Sequence, residues 1–170
     1  MNANEDTPLW SVECGEWPTH AGQSAAARRL LSSLVGFEVT VEHDAHGAPY
    51  LPSHPDLQVS LSHCRTAVAA AVSRRGPVGV DVECRRRVSD GLMQRVCSPA
   101  ELASLRESDD PVMAFLRLWT RKEAVLKCRR TGIQGFGSMV RALDAPGLVV
   151  RDLLCDNGDT VGSVAYTSRE

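Results

Sequence analysis

The segment PVMAFLRLWTRKEAVLKCRR, residues 111–130, constrains the fold of this chain more than any other. After Pro111 it runs without glycine or proline, and its spacing predicts one long helix. At 100° per residue, Val112, Phe115, Leu116, Trp119 and Leu126 form a single apolar stripe. Glu123 falls in the middle of that stripe, four residues after Trp119 and three before Leu126. An ionised carboxylate turned toward a core is costly unless it is paired or bound to a metal. A Glu123–Lys127 pair at i,i+4 is the simple alternative, worth only about a few tenths of a kcal/mol on an exposed face. A solvated pair would not need apolar neighbours on both sides.

Two further carboxylates interrupt an apolar pattern in VGVDVE, residues 78–83. The alternation predicts a strand with Val78, Val80 and Val82 on one face and Gly79, Asp81 and Glu83 on the other. Both acids then point the same way, about 7 Å apart along the backbone. Oxygen-seeking divalent cations such as Mg²⁺ commonly use one or two carboxylates together with substrate phosphates. The plain alternative is an exposed strand face, where acids are common.

Around these segments the chain reads as short helices and antiparallel strands, an α+β class. Residues 1–18 show little periodicity and read as a loose lead-in. Residues 25–35 have helical spacing, with Ala27, Leu30, Leu31 and Leu34 on one face and Gly36 as the stop. FEVTVEH reads as a strand with Phe37, Val39 and Val41 on one side, and DAHGAPYLPSHPD as a loop. LQVSLSH alternates, with Leu57, Val59 and Leu61 inward and Ser60 and Ser62 outward. AVAAAV reads as a buried strand paired with VGVDVE. SPAE predicts a helix start, with Ser98 as N-cap, Pro99 at the first position and Glu101 closing a capping box. TGIQGFG is a loop. SMVRAL, LVVRDLL and VGSVAYT read as strands, the last two joined by a turn at Asn157-Gly158.

Composition narrows the functional classes. A net charge of -2, with 43% apolar and 24% charged residues, fits a globular protein rather than a general nucleic-acid or membrane-surface binder. No apolar run approaches the roughly 20 residues that span a bilayer, and acids near the N-terminus do not resemble a secretory signal. The expected location is cytoplasmic. Six cysteines without a C-x-x-C pair read as free thiols. Five histidines without paired spacing argue against zinc. His63 just beyond a strand is a candidate base or phosphate donor, with a packing role as its alternative. Arg28-Arg29, Arg74-Arg75 and Arg85-Arg86-Arg87 are basic clusters that a solvated rim also explains.

VGVDVE followed, after residues 84–118, by WTRKEAVLK resembles the paired signature of the 4′-phosphopantetheinyl transferases. Asp81, Trp119, Thr120, Lys122, Glu123, Ala124 and Lys127 match it. Glu83 and LSHC resemble the larger, surfactin-synthetase-activating type, as do GAPYL and ARRLL. Ala48 stands where that loop usually carries Lys or Arg, and Cys64 where Ser or Thr follows the histidine.

The resemblance implies transfer of the phosphopantetheine arm of coenzyme A to a serine of an acyl or peptidyl carrier protein, with release of adenosine 3′,5′-bisphosphate. It implies two similar α/β halves packed as a pseudo-dimer, with a short N-terminal half at 1–77 and a C-terminal half at 78–170. Asp81, Glu83 and Glu123 would hold Mg²⁺ and, with Lys127, form the catalytic group. Lys122 and Lys127 would contact phosphate oxygens and His63 the 3′-phosphate, with Arg28, Pro49 and Ser62 also at the nucleotide. Partners would be coenzyme A and the carrier protein, neither nucleic acid nor membrane, and the chain would be a monomer. Two other classes stay open: a non-catalytic relative that binds carrier protein or nucleotide, and a different metal-dependent phosphotransfer enzyme.

Overall fold

The computed structural model describes residues 7–131, 139–144, 146–155 and 157–167. They form eight strands and four helices of a mixed α/β fold. In chain order these are β1 (Leu9–Cys14), α1 (His20–Val35), β2 (Glu42–His43), β3 (Pro49–Tyr50), β4 (Gln58–Cys64), β5 (Ala67–Ser73) and β6 (Val78–Cys84). There follow α2 (Asp90–Val96), α3 (Pro99–Arg106), α4 (Pro111–Arg129), β7 (Leu148–Leu153) and β8 (Thr160–Thr167).

Two three-stranded antiparallel sheets dominate, in the orders β1-β5-β4 and β6-β8-β7. Each begins with an edge strand, continues through a helix, and ends in a hairpin whose second strand inserts at the centre. Helix α1 covers the first sheet, and α4 covers β6 and β8 of the second. Between the sheets, Ala67, Ala69 and Ala71 of β5 meet Val78, Val80 and Val82 of β6. Small residues on β5 allow this approach, while Val68, Ala70 and Val72 on its other face pack toward α1 and its surroundings. Every β5 residue is therefore buried.

The long helix forms where its spacing predicts. Asp110 caps it by accepting the Met113 N–H, Pro111 occupies the first turn, and Arg130 ends it at φ 54. The capping box of Ser98 and Glu101 is present as expected. Gly79 is required by contact: a Cβ there would lie 2.0 Å from the Ala124 carbonyl oxygen and 2.5 Å from the Cys128 nitrogen. That closeness presses β6 against α4 and sets Asp81 beneath the helix. Cys97 and Cys128 are buried, Cys14 is exposed, and Cys64, Cys84 and Cys155 are half-buried.

Several expectations are overturned. The lead-in is no loop from Leu9 onward, because β1 pairs with β5 along six residues. Helix α1 begins five residues before Ala25, at His20, with the Thr19 hydroxyl accepting the Gly22 N–H. The 37–43 strand shrinks to Glu42–His43, since the Val39 N–H is taken by the Ser32 hydroxyl instead of a neighbouring strand. β5 pairs with β1 and β4, not with β6, which it faces across the sheets. Ser60 and Ser62 are not outward but buried, 3% and 8% exposed. Residues 139–144 turn back on themselves instead of forming the SMVRAL strand, with Met139 and Ala142 buried on one side. Helix α2 was not anticipated. TGIQGFG falls almost wholly outside the described residues.

Candidate active site

A cavity of about 350 Å³ opens where the two sheets and their helices meet. Its walls come from α1, the β2–β3 loop, β4 and the C-terminal turns of α4. Among the expected site residues, Arg28, Pro49, Ser62, His63, Glu123 and Lys127 line it. Asp81 lies just beneath, bonded to two of these.

The floor of the cavity is a compact charge network. Asp81 is 6% exposed. Its Oδ1 accepts from the Ser62 hydroxyl at 2.9 Å and from Lys127 Nζ at 2.7 Å. Lys127 also donates to the Val80 carbonyl at 3.0 Å. It is therefore engaged with β6, not with Glu123 one helical turn before it, and the i,i+4 pair does not form. Asp81 Oδ2 and Glu123 Oε1 are buried without a hydrogen-bond partner. Burial, reinforced by the Asp81 charge and opposed by Lys127, pushes the Glu123 carboxyl up to about 7.

Orphaned oxygens of this kind need an explanation, because leaving a polar group dry and unpaired is unfavourable. Two carboxylates offering free oxygens beside this cavity fit the preference of Mg²⁺ for oxygen ligands completed by substrate. The full three-acid set is not assembled: among the described residues no three His, Cys, Asp or Glu side chains gather as a metal-binding group. Glu83 instead accepts from Arg86 Nε at 3.1 Å and Nη2 at 3.3 Å, while Arg86 lies over the Trp119 ring.

Lys122 is not brought to the cavity. It is fully buried, donating to the Val96 carbonyl and to Glu101 Oε2, both at 2.7 Å. The expected phosphate contact is thus a strut tying α4 to α2 and α3. Its carboxylate partner already closes the α3 capping box, so one acid holds two elements. Ser62 lines the cavity, yet its hydroxyl is turned into the protein, where it also accepts the Val82 N–H at 3.2 Å.

On the α1 side, His63 is half-buried. Gln23 donates through Nε2 to the Trp17 carbonyl at 2.8 Å, which turns Oε1 to His63 Nδ1 at 3.1 Å. Nδ1 then carries the hydrogen and Nε2 is free for a ligand. Burial first, then the charges of His20 and Lys127, hold the imidazole below its usual range. Sequence reasoning missed Gln23, His20 and Arg130. The first two share the α1 face that meets His63, and Arg130 is thrown toward the loop, near Pro49, by its left-handed cap. Only the helical spacing of His20 and Gln23 ahead of Ala27 hinted at them.

Residues 77–151 match the model of the 4′-phosphopantetheinyl transferase superfamily. Curated relatives include a 4′-phosphopantetheinyl transferase of Bacillus subtilis, 28% identical over 113 residues, covering 65% of this chain and 49% of that protein. The 4′-phosphopantetheinyl transferase HetI of a Nostoc species is 32% identical over 131 residues, 69% of this chain and 55% of HetI. The 4′-phosphopantetheinyl transferase AcpT of Salmonella typhi is 34% identical over 109 residues, 61% of this chain and 56% of AcpT. The chain spans about half the length of these relatives. The matched region carries Asp81, Glu83, Glu123 and Lys127, and the matches place residues 77–151 in the 4′-phosphopantetheinyl transferase superfamily.

Proposed function

We propose that this protein transfers the 4′-phosphopantetheine group of coenzyme A to a serine of an acyl or peptidyl carrier protein, releasing adenosine 3′,5′-bisphosphate. The observation that carries this reading is the pair of buried, unpartnered oxygens on Asp81 and Glu123 beside Lys127, within the region similar to known transferases. In the reaction the serine oxygen bonds to the β-phosphorus of the pyrophosphate, and the bond from that phosphorus to the bridging oxygen breaks. The leaving group takes the electron pair as the nucleotide phosphate.

Asp81 and Glu123 would hold Mg²⁺, which supplies neutralisation of the pyrophosphate charge. Lys127 stands one turn from Glu123 and adds a positive charge where negative charge develops. Glu123 would take the serine proton through an intervening water. His63, protonated by the charge of the bound 3′-phosphate, would donate to it from Nε2, with Arg28 on the same cavity wall. Pro49 shapes the loop over the nucleotide.

The finer assignment follows the same reading. The repeated strand order supports the larger, two-half type, with the halves at 1–77 and 78–170 forming a pseudo-dimer. Because α1, β4 and α4 of one chain all wall the cavity, a monomer suffices. No helix of the described residues is long and apolar enough to cross a membrane, which suits a cytoplasmic location. Mass spectrometry of an apo carrier protein incubated with coenzyme A and Mg²⁺ tests the proposal. A gain of one phosphopantetheine per carrier, abolished by chelation, is expected. An unmodified carrier across acyl and peptidyl types would overturn it.

A further inference from the structure

The strongest unassigned feature lies at the seam between the two sheets. Strand β4 runs beside the free edge of β6 without joining its ladder. Two serines on one face of β4 take the place of backbone acceptors. The Ser60 hydroxyl accepts the Val80 N–H at 3.0 Å, and the Ser62 hydroxyl accepts the Val82 N–H at 3.2 Å. The two seam bonds are alike except in one respect. Ser62 also donates to Asp81 Oδ1 at 2.9 Å.

We infer that Ser62 is a positioning residue that sets the Asp81 carboxylate for a divalent cation, rather than a contact to the nucleotide. The inference rests on the transferase reading above. Oδ1 of Asp81 is occupied from both sides, by Ser62 and by Lys127. With one oxygen fixed by two donors, the carboxylate cannot rotate freely, and Oδ2 is the oxygen left without a partner. Ser62 is itself tied to the β6 backbone at Val82, the residue after Asp81, so its hydroxyl has little freedom to turn outward to a phosphate. A carboxylate held in this way is already arranged for a cation before the cation arrives. The first sheet thereby controls a charge carried by the second.

Ser60 supplies the matched control, since Ser60→Ala removes a seam bond of the same kind without touching Asp81. Mn²⁺ is titrated into each folded variant with coenzyme A present and carrier protein absent, read by water-proton relaxation. Coenzyme A affinity is measured separately without metal. Ser62→Ala is expected to weaken Mn²⁺ binding by about 10–100-fold, the usual effect of removing a group that orients a metal ligand. Ser60→Ala is expected to bind Mn²⁺ as the unaltered protein does, and metal-free coenzyme A affinity should be unchanged in both. If Ser62→Ala does not fold, Ser62→Cys replaces it, because a thiol of similar shape is only a weak donor. Unaltered Mn²⁺ affinity in that variant overturns the inference. Equal Mn²⁺ affinity in Ser62→Ala and Ser60→Ala also overturns it, and leaves the transferase reading standing. Metal-free loss of coenzyme A affinity in Ser62→Ala makes the serine a nucleotide contact instead. No Mn²⁺ binding by the unaltered protein overturns both readings together.

Discussion

The two sheets share a strand order but not a chemistry. In β1-β5-β4 and in β6-β8-β7 the last strand of a hairpin takes the central place, and a helix covers one face. Around the cavity, however, the first set of elements contributes Arg28, Ser62 and His63, neutral or basic groups. The second contributes Glu123 and Lys127, with Asp81 below them. The helices differ accordingly. Helix α1 meets its sheet through Ala26, Ala27 and Leu31, whereas α4 buries Phe115, Leu116, Val125 and Leu126 and also carries Glu123 and Lys127. A repeated scaffold thus places unlike groups on opposite walls of one cleft. In the proposed reaction, the first wall holds what does not react and the second acts where charge changes.

The sharpest way to break this comparison is Asp81→Ala. If the second wall does the chemistry, turnover should fall to background, the largest effect expected from any single change. Asp81 lies opposite the valine face of β6, so circular dichroism should still report a folded protein. An unfolded variant would make the aspartate a structural group.

A comparably large effect, on stability instead of turnover, is expected at Lys122. Removing the fully buried Lys122 empties its site and takes the donor from the Val96 carbonyl and the Glu101 carboxylate, a loss of about 2–4 kcal/mol. Denaturant unfolding of Lys122→Ala should show a loss of this size. Unchanged stability with weakened coenzyme A binding would return Lys122 to the phosphate-binding role that its motif suggests.

Lys127 and His63 separate the two walls kinetically. Lys127→Ala should lower kcat by about 10²–10³-fold, because it acts where negative charge develops. His63→Ala should mainly raise KM for coenzyme A, since a contact to a phosphate that does not react contributes equally before and during the reaction. A His63→Ala enzyme with normal KM and collapsed kcat would show that the two walls have exchanged roles.

How much of this arrangement the residues disclose in advance depends on what hides them. Helix α4 is legible because its stripe is long and its caps are chemical: Asp110, Pro111 and a basic last turn. Glu123 is legible for the same reason, as a charge out of pattern. Strand β1 is not, because LWSVEC is only partly buried and gives no clean alternation. The serines of β4 mislead because polarity usually marks the solvent face, while here hydroxyls substitute for a missing ladder. Lys122 misleads because its partners, Val96 and Glu101, lie 26 and 21 residues away. Local periodicity carries no record of such pairings.

The smallest effect expected concerns the acid of α4 in the metal-free protein. Glu123 has its carboxyl raised from 4.5 to about 7, by burial above all and then by Asp81 and Glu83, with Lys127 opposing. Between these two values the native state binds more protons than the unfolded chain, so stability falls as pH rises through that window and levels off above about 7. Glu123→Gln removes the titration. With a chelator present, the variant should match the unaltered protein near pH 4.5 and melt higher above pH 7. Because the carboxyl keeps some contact with solvent, the gain is discounted to about 1 kcal/mol, or ~2–4 °C for a chain of this size. A divalent cation favours the ionised form, so adding one at pH 8 should raise the Tm of the unaltered protein and narrow the gap. A difference between the two proteins that is the same at pH 5 and pH 8 would mean that Glu123 does not titrate in this window.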